Sequence, residues 1–256
     1  MKELFFTAQT AIPPGVGFPY YGTVHLLWLL AISGICCCTA CLLRRQEAAV
    51  RHRCLLLFCV AGLLLEAGKL FLLGETGQFR WHDLPLDLCD LALFVYPAAI
   101  LWNRPLLKEW MYSLNLPGTC LALLFPNWNP LPPWNAFTIL AFSMHGKCIP
   151  RHGLLLLVPI CMLASGDLQP SAKRLPACLL SLLLACIPIS LVNRQLGTNF
   201  FFLARPSRNS PLSWAAQYLG NPGYLLIIPG LIALIWGILY GVPAGVHAAA
   251  RKVRRK

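Results

Sequence analysis

The sequence predicts an all-α fold, a polytopic bundle of seven transmembrane helices, and three observations carry that reading. Apolar residues make up 57% of the 256 positions and charged ones only 12%, so a water-soluble globule would lack the polar surface to cover itself. Mean hydropathy is +0.64, and apolar runs long enough to cross a bilayer recur along the chain. Lysine and arginine are divided unevenly between alternate connections, as in chains that cross a membrane repeatedly.

The elements follow in order. A crossing helix needs about 20 mostly apolar residues, and residues 21–43, 54–74 and 84–102 supply the first three. Residues 110–125 form a fourth, short and interrupted at Pro117-Gly118. Residues 136–165 are too long for a plain span and carry His145, Gly146, Lys147, Pro150, Arg151, His152 and Gly153 in their middle, so they read as one distorted span. Interruptions of this kind survive in a bilayer only where protein or water satisfies the freed backbone groups, which places both segments inside the bundle. Residues 175–192 and 223–241 complete the seven.

Charge sets the orientation. With the C-terminus in the cytoplasm, the inner side carries Arg44, Arg45, Arg51, Arg53, Arg104, Lys108, Lys173, Arg174 and the tail RKVRRK, thirteen positive residues in all. The outer side carries seven: Lys2, Arg80, Lys147, Arg151, Arg194, Arg205 and Arg208. The positive-inside rule therefore predicts an extracytoplasmic segment over 1–20, the seven-helix domain over 21–242 and a basic cytoplasmic tail over 243–256. The net charge of +12 is explained by topology, with membrane lipids as partners and no nucleic acid. The N-terminus MKELFFTAQTAIPPGVGFPYYG lacks a charged start followed by an apolar core of about 7–15 residues, so the first helix is expected to be retained.

Twelve cysteines raise the question of metal or disulfides. The only CxxC is Cys38 and Cys41, with no second pair at zinc-ligand spacing, and most of the rest lie inside spans, so small apolar packing is the expectation, with no metal and no cofactor.

Ionisable residues inside the spans are more telling, because a charge at helix centre costs about 2.5–3.5 kcal/mol even on a lenient scale. Glu66 and Lys69 share a helix face three residues apart, as do Asp87 and Asp90 at the outer end of the next helix. A buried cluster of these four either pins the two helices together or lines a site. His25 and His152 are polar residues in otherwise apolar surroundings. Cys89 lies about 100° from Asp90 and about 200° from Asp87 around the helix, so spacing alone assigns it to packing.

Four blocks then carry a resemblance: LLLEAGKLFLL, LPLDLCDLALFVYPAAILW, HGLLLLVPICML and above all VNRQLGTNFFFLARP. In this order they resemble successive blocks of the YwaF-like integral membrane proteins of bacteria, over roughly residues 25–240. That family is similar to a vertebrate transmembrane acyltransferase that moves polyunsaturated acyl chains onto lyso-ether phospholipids with a cysteine and a histidine. The resemblance implies a multi-pass protein of the bacterial cell membrane, with Cys89 as the catalytic cysteine and His152 as the histidine, His145 being its rival. Asp87 stands where the bacterial block usually has histidine. Asn193 and Asn199 match the asparagines of the last block.

Two mechanisms are consistent with these residues. In one, a Cys89 thiolate assisted by His152 passes an acyl chain between phospholipids, with an oxyanion donor in Asn199. In the other, the carboxylates and Lys69 relay a proton or cation for a carried solute. A scaffold with a purely structural cluster is the third reading. The predicted substrate-binding set is His25, Glu66, Lys69, Asp87, Asp90, Asn193 and Asn199, around an outward-opening cavity with Cys89 at its wall.

Overall fold

The structure, a computed structural model, describes residues 19, 21–124, 151–207 and 210–253, the side chains of 151, 152 and 246–253 excepted. All regular elements among them are helical: α1 (Thr23–Leu43), α2 (Ala48–Glu75), α3 (Leu88–Trp102), α4 (Pro105–Trp110), α5 (Leu116–Leu124), α6 (Arg151–Ser165), α7 (Leu175–Leu196), α8 (Pro211–Leu219) and α9 (Ile228–Val253), with short 3-10 turns between several of them. Five stretches are long and apolar enough to cross a membrane: Thr23–Leu43, Ala48–Glu75, Trp81–Trp102, Ala172–Leu196 and Gly223–Gly245.

The two irregular segments take forms that their sequence left open. The fourth begins earlier than expected, at Pro105, and α4 passes into α5 through a π turn at Met111–Asn115. Leu116 donates to the Met111 carbonyl five residues back, so the wider turn comes just before Pro117, which has no N–H to give. Of the other segment, residues 136–150 lie outside the described residues and the rest is the fifteen-residue α6.

α6 is the hub. Leu155, Leu156, Leu157, Val158, Cys161 and Met162 are all buried, and four consecutive buried positions point to every side of a helix. It packs against α1, α2, α3 and α5. The meeting faces are built from small residues, Cys36 and Ala40 on α1, Cys59 and Gly62 on α2, Ala92 and Ala99 on α3, and Cys161 on α6. Between helices in lipid no hydrophobic drive exists, so close van der Waals approach replaces it. At Gly62 a Cβ would come within 3.2 Å of Leu93, tighter than an ordinary contact, so glycine lets α2 and α3 lie close. The outward positions are large and apolar, among them Leu30, Leu57, Leu64, Leu183 and Ile187.

Proline explains how these helices are tied. A proline frees the carbonyl four residues earlier, and in hydrocarbon that carbonyl needs another donor. Pro159 frees Leu155, whose carbonyl accepts the Tyr96 hydroxyl of α3 at 3.0 Å. Pro117 frees Ser113, which accepts the Trp236 indole N–H of α9 at 3.0 Å. Pro243 frees Leu239, which accepts the Tyr112 hydroxyl of the π turn at 2.8 Å. Each of these three breaks in one helix thus becomes a bond to its neighbour.

At the end bearing the loops 44–47, 103–104 and 166–174, charges complete the bundle. Asp167 receives both Arg51 Nε and, at 2.9 Å, Nη2, together with the Ser165 hydroxyl at 2.9 Å. Lys108 donates to the Asp167 backbone carbonyl. Glu109, only 1% exposed, receives Arg174 at 2.9 Å, the Ser171 N–H and the Tyr240 hydroxyl. Residues that the sequence explains by topology therefore also lock α2, α4, α7 and α9 to one another.

Burial alone would raise the Asp167 carboxyl, but the hydrogen bonds from Arg51 and Ser165 and the charges of Arg51 and His52 outweigh it and hold the carboxyl below its ordinary value. A depressed carboxyl stabilises the fold above its unfolded pKa and ceases to as pH falls through its folded one. Stability should decline from about pH 4 downward, and Asp167→Asn, weaker by about 2 kcal/mol at neutral pH, should show a flatter acid limb in detergent-micelle unfolding. For the proline clamps, Tyr96→Phe should cost about 1 kcal/mol. Adding Pro159→Ala should recover part of that loss, because the restored N–H again serves the Leu155 carbonyl; a cycle of unfolding measurements on the four proteins checks it.

Candidate functional site

The carboxylates at the start of α3 first serve its backbone. The first N–H groups of a helix lack partners inside it, and Asp87, as N-cap, forms a capping box with Asp90, which accepts the Asp87 N–H at 3.1 Å. Asp87 Oδ1 also accepts the Phe201 N–H at 3.0 Å, from the far side of α7.

That contact lands on the turn formed by the block GTNFFFLARP. Gly197 ends α7 in the left-handed conformation (φ 66°), where glycine has no Cβ to clash. The Asn193 Oδ1 then accepts the Phe200 N–H at 2.8 Å and the Thr198 hydroxyl at 2.9 Å, while its Nδ2 donates to the Phe200 carbonyl at 2.9 Å. Asn199 likewise accepts from Ala204 and Arg205 and donates to the Arg205 carbonyl. Between these clamps Phe201 and Phe202 take positive φ, 58° and 54°, a conformation that L residues hold only when their surroundings enforce it. The Tyr224 hydroxyl closes the turn on the Phe202 carbonyl at 2.6 Å. Asp87, Asn193 and Asn199 thus belong to one unit, a rigid turn seated on the N-terminus of α3.

Lys69 is paired with Glu66 at 3.0 Å, both buried, and donates to the Asp83 carbonyl at 2.7 Å. The pair therefore fastens α2 to the short turn that leads into α3. His25 is 0% exposed; its Nδ1 accepts the Tyr21 N–H at 3.1 Å and its Nε2 lies 3.1 Å from the Leu123 carbonyl. With Nδ1 accepting, Nε2 carries the proton and donates. Together with the Tyr21 hydroxyl on the Leu124 carbonyl at 2.6 Å, it caps the last carbonyls of α5.

Cys89 sits in the first turn of α3, two residues after the N-cap, half-buried and packed on the central core. A Cβ on Gly118 would lie 3.8 Å from its Sγ, so the glycine after Pro117 leaves room against the thiol. Asn115, the last residue of the π turn, donates its Nδ2 to the carbonyl of Leu88, the neighbour of Cys89, at 2.9 Å. Thr119 lies one turn further on, and both it and Asn115 are fully buried. These two are not among the residues singled out above from the sequence, although a pair of polar residues four apart flanking Pro117-Gly118 in an apolar run marks them. His145 lies outside the described residues, and so does the side chain of His152, whose backbone opens α6. Among the described residues no group of three His, Cys, Asp or Glu is placed to hold a metal ion.

If Asp87 acts through its hydrogen bonds, Asp87→Asn should stay folded and keep most function, since an asparagine oxygen also caps and accepts. Asp87→Ala should lose about 1–2 kcal/mol of stability. Thermal unfolding of the two variants separates this from a charge relay, in which both would lose function equally.

No curated protein matches the chain, and no solved structure does. A family model, that of the TMEM164 family, matches residues 20–240. The match begins just before α1 and ends within α9, taking in the Cys89 turn, the buried pair beside it and the asparagine-clamped turn of residues 197–205. With most of its length covered, the chain belongs to the TMEM164 family of membrane proteins.

Proposed function

We propose that the protein is a membrane-embedded acyltransferase in which Cys89 takes an acyl chain from a phospholipid and passes it to a lysophospholipid. The observation that carries this reading is the setting of Cys89: in an apolar helix its sulfur is turned toward the Gly118 gap of α5, beside buried polar groups. The start of a helix bears partial positive charge, which suits the oxyanion that develops on the ester carbonyl.

In the first half-reaction the thiol sulfur attacks the ester carbonyl of the donor. The S–C bond forms, the ester C–O bond breaks, and the thiol proton ends on the departing lysophospholipid oxygen. In the second, the hydroxyl of another lysophospholipid attacks the thioester and returns a proton to sulfur. Splitting one transfer into two lowers each barrier. His152 is the base in this scheme, with His145 as the alternative. The family resemblance supplies the acyl chemistry. Asn199 is better suited to a structural role than to the oxyanion, because both ends of its amide hold the turn. The site lies toward the end opposite the basic loops, which the positive-inside rule assigns to the outer leaflet.

Reconstituted protein supplied with labelled phosphatidylcholine and an ether lysophospholipid should transfer the acyl chain, and Cys89→Ala should lower the rate at least about 1,000-fold while melting as the wild type does. Undiminished transfer by folded Cys89→Ala would overturn the assignment.

A further inference from the structure

Two buried side-chain oxygens are left over by the hydrogen bonds and ion pairs among the described residues. Asn115 and Thr119 are each 0% exposed, and among the described residues neither Asn115 Oδ1 nor Thr119 Oγ1 has a hydrogen-bond partner. Most buried polar atoms in folded proteins are satisfied, and in hydrocarbon an unsatisfied one is costlier still. Two on neighbouring turns of one helix call for a polar ligand.

Their surroundings locate it. The Asn115 amide is held by its own bond to the Leu88 carbonyl at 2.9 Å, which fixes the orientation of the free oxygen. Leu88 precedes Cys89, and Gly118, between the two polar residues, faces Cys89 Sγ. Asn115 also ends a π turn, a distortion that recurs at functional sites. Cys89 and Gly118 are half-buried, and so form the accessible side, while Asn115 and Thr119 lie deeper.

We propose that Asn115 and Thr119 bind the hydroxyl of the acyl acceptor, a lysophospholipid with a free glycerol hydroxyl, and hold it against the Cys89 thioester. The inference rests on the acyltransferase reading and adds the acceptor's recognition to it. The chemistry selects a hydroxyl. Asn115 Oδ1 only accepts, so it needs a donor, and Thr119 Oγ1 both donates and accepts. A hydroxyl gives its proton to the first and takes one from the second. An ester carbonyl only accepts and would leave Asn115 Oδ1 unmatched, so the pair distinguishes acceptor from donor. In the transfer the acceptor oxygen bonds to the thioester carbon, the C–S bond breaks, and the hydroxyl proton ends on the sulfur, restoring the thiol with no further reactant.

The test separates the two half-reactions in phosphatidylcholine vesicles. Thr119→Val keeps the shape and removes the hydroxyl; Thr119→Ser restores it; Asn115→Leu removes the amide. Thr119→Val and Asn115→Leu should acylate Cys89 at the wild-type level, read as a hydroxylamine-labile adduct. Their KM for an ether lysophospholipid should rise about tenfold, the effect of one lost buried hydrogen bond, and Thr119→Ser should recover it. An unchanged acceptor KM in folded Thr119→Val, or a parallel loss of Cys89 acylation, would overturn the proposal while leaving the acyltransferase reading intact. Wild-type protein that forms no Cys89 adduct would overturn both.

Discussion

A backbone carbonyl inside hydrocarbon has no water to turn to, and this constraint organises the bundle. Regular helix satisfies nearly every such group internally. The exceptions are the carbonyls that prolines free and those at helix ends, and here each of several is met by a side chain from another helix. Tyr96, Trp236 and Tyr112 serve the carbonyls freed by Pro159, Pro117 and Pro243. Tyr21 and His25 serve the end of α5. The helices are held in register by these few directional bonds, while small residues let them approach closely enough to make them.

The same logic shapes the candidate site. Pro117 cannot continue the ladder, so the helix widens into a π turn before it, and widening places Asn115 toward the first turn of α3. The glycine that follows gives Cys89 its space. The turn of residues 197–205, clamped by two asparagines, presses on Asp87 and so fixes the start of α3, where Cys89 sits. A reactive group in a membrane needs this kind of surrounding rigidity, because its polar neighbours have no solvent in which to relax.

Much of the fold was legible because transmembrane helices announce themselves by length and apolarity. The spans around residues 23–43, 48–75, 175–196 and 228–245 follow directly. The pairing of Glu66 with Lys69 was also readable, since both lie on one helix three residues apart. What sequence did not disclose were the long-range partners. Glu109 falls just before the fourth span as the sequence delimits it, and it is buried among Arg174, Ser171 and Tyr240. Asp87 and Asp90 read as part of a buried cluster that either pins two helices together or lines a site, and they cap α3, a role that the S/T/D-x-x-E/D spacing at a helix start suggests once the helix is known to begin at Leu88. His25 gave no sign of its partner, because Leu123 lies 98 residues away.

The order of synthesis gives α9 a particular importance. It is made after every helix it serves, yet it carries the indole that serves Ser113, the carbonyl that receives Tyr112 and the hydroxyl that reaches Glu109. Until α9 enters the membrane, the α4–α5 segment holds an unserved carbonyl and a carboxylate short of one partner. The wall of the candidate site is therefore finished only once α9 has been made, and a nascent chain halted before α9 would present this polar segment to lipid, the kind of surface that membrane quality control is built to detect.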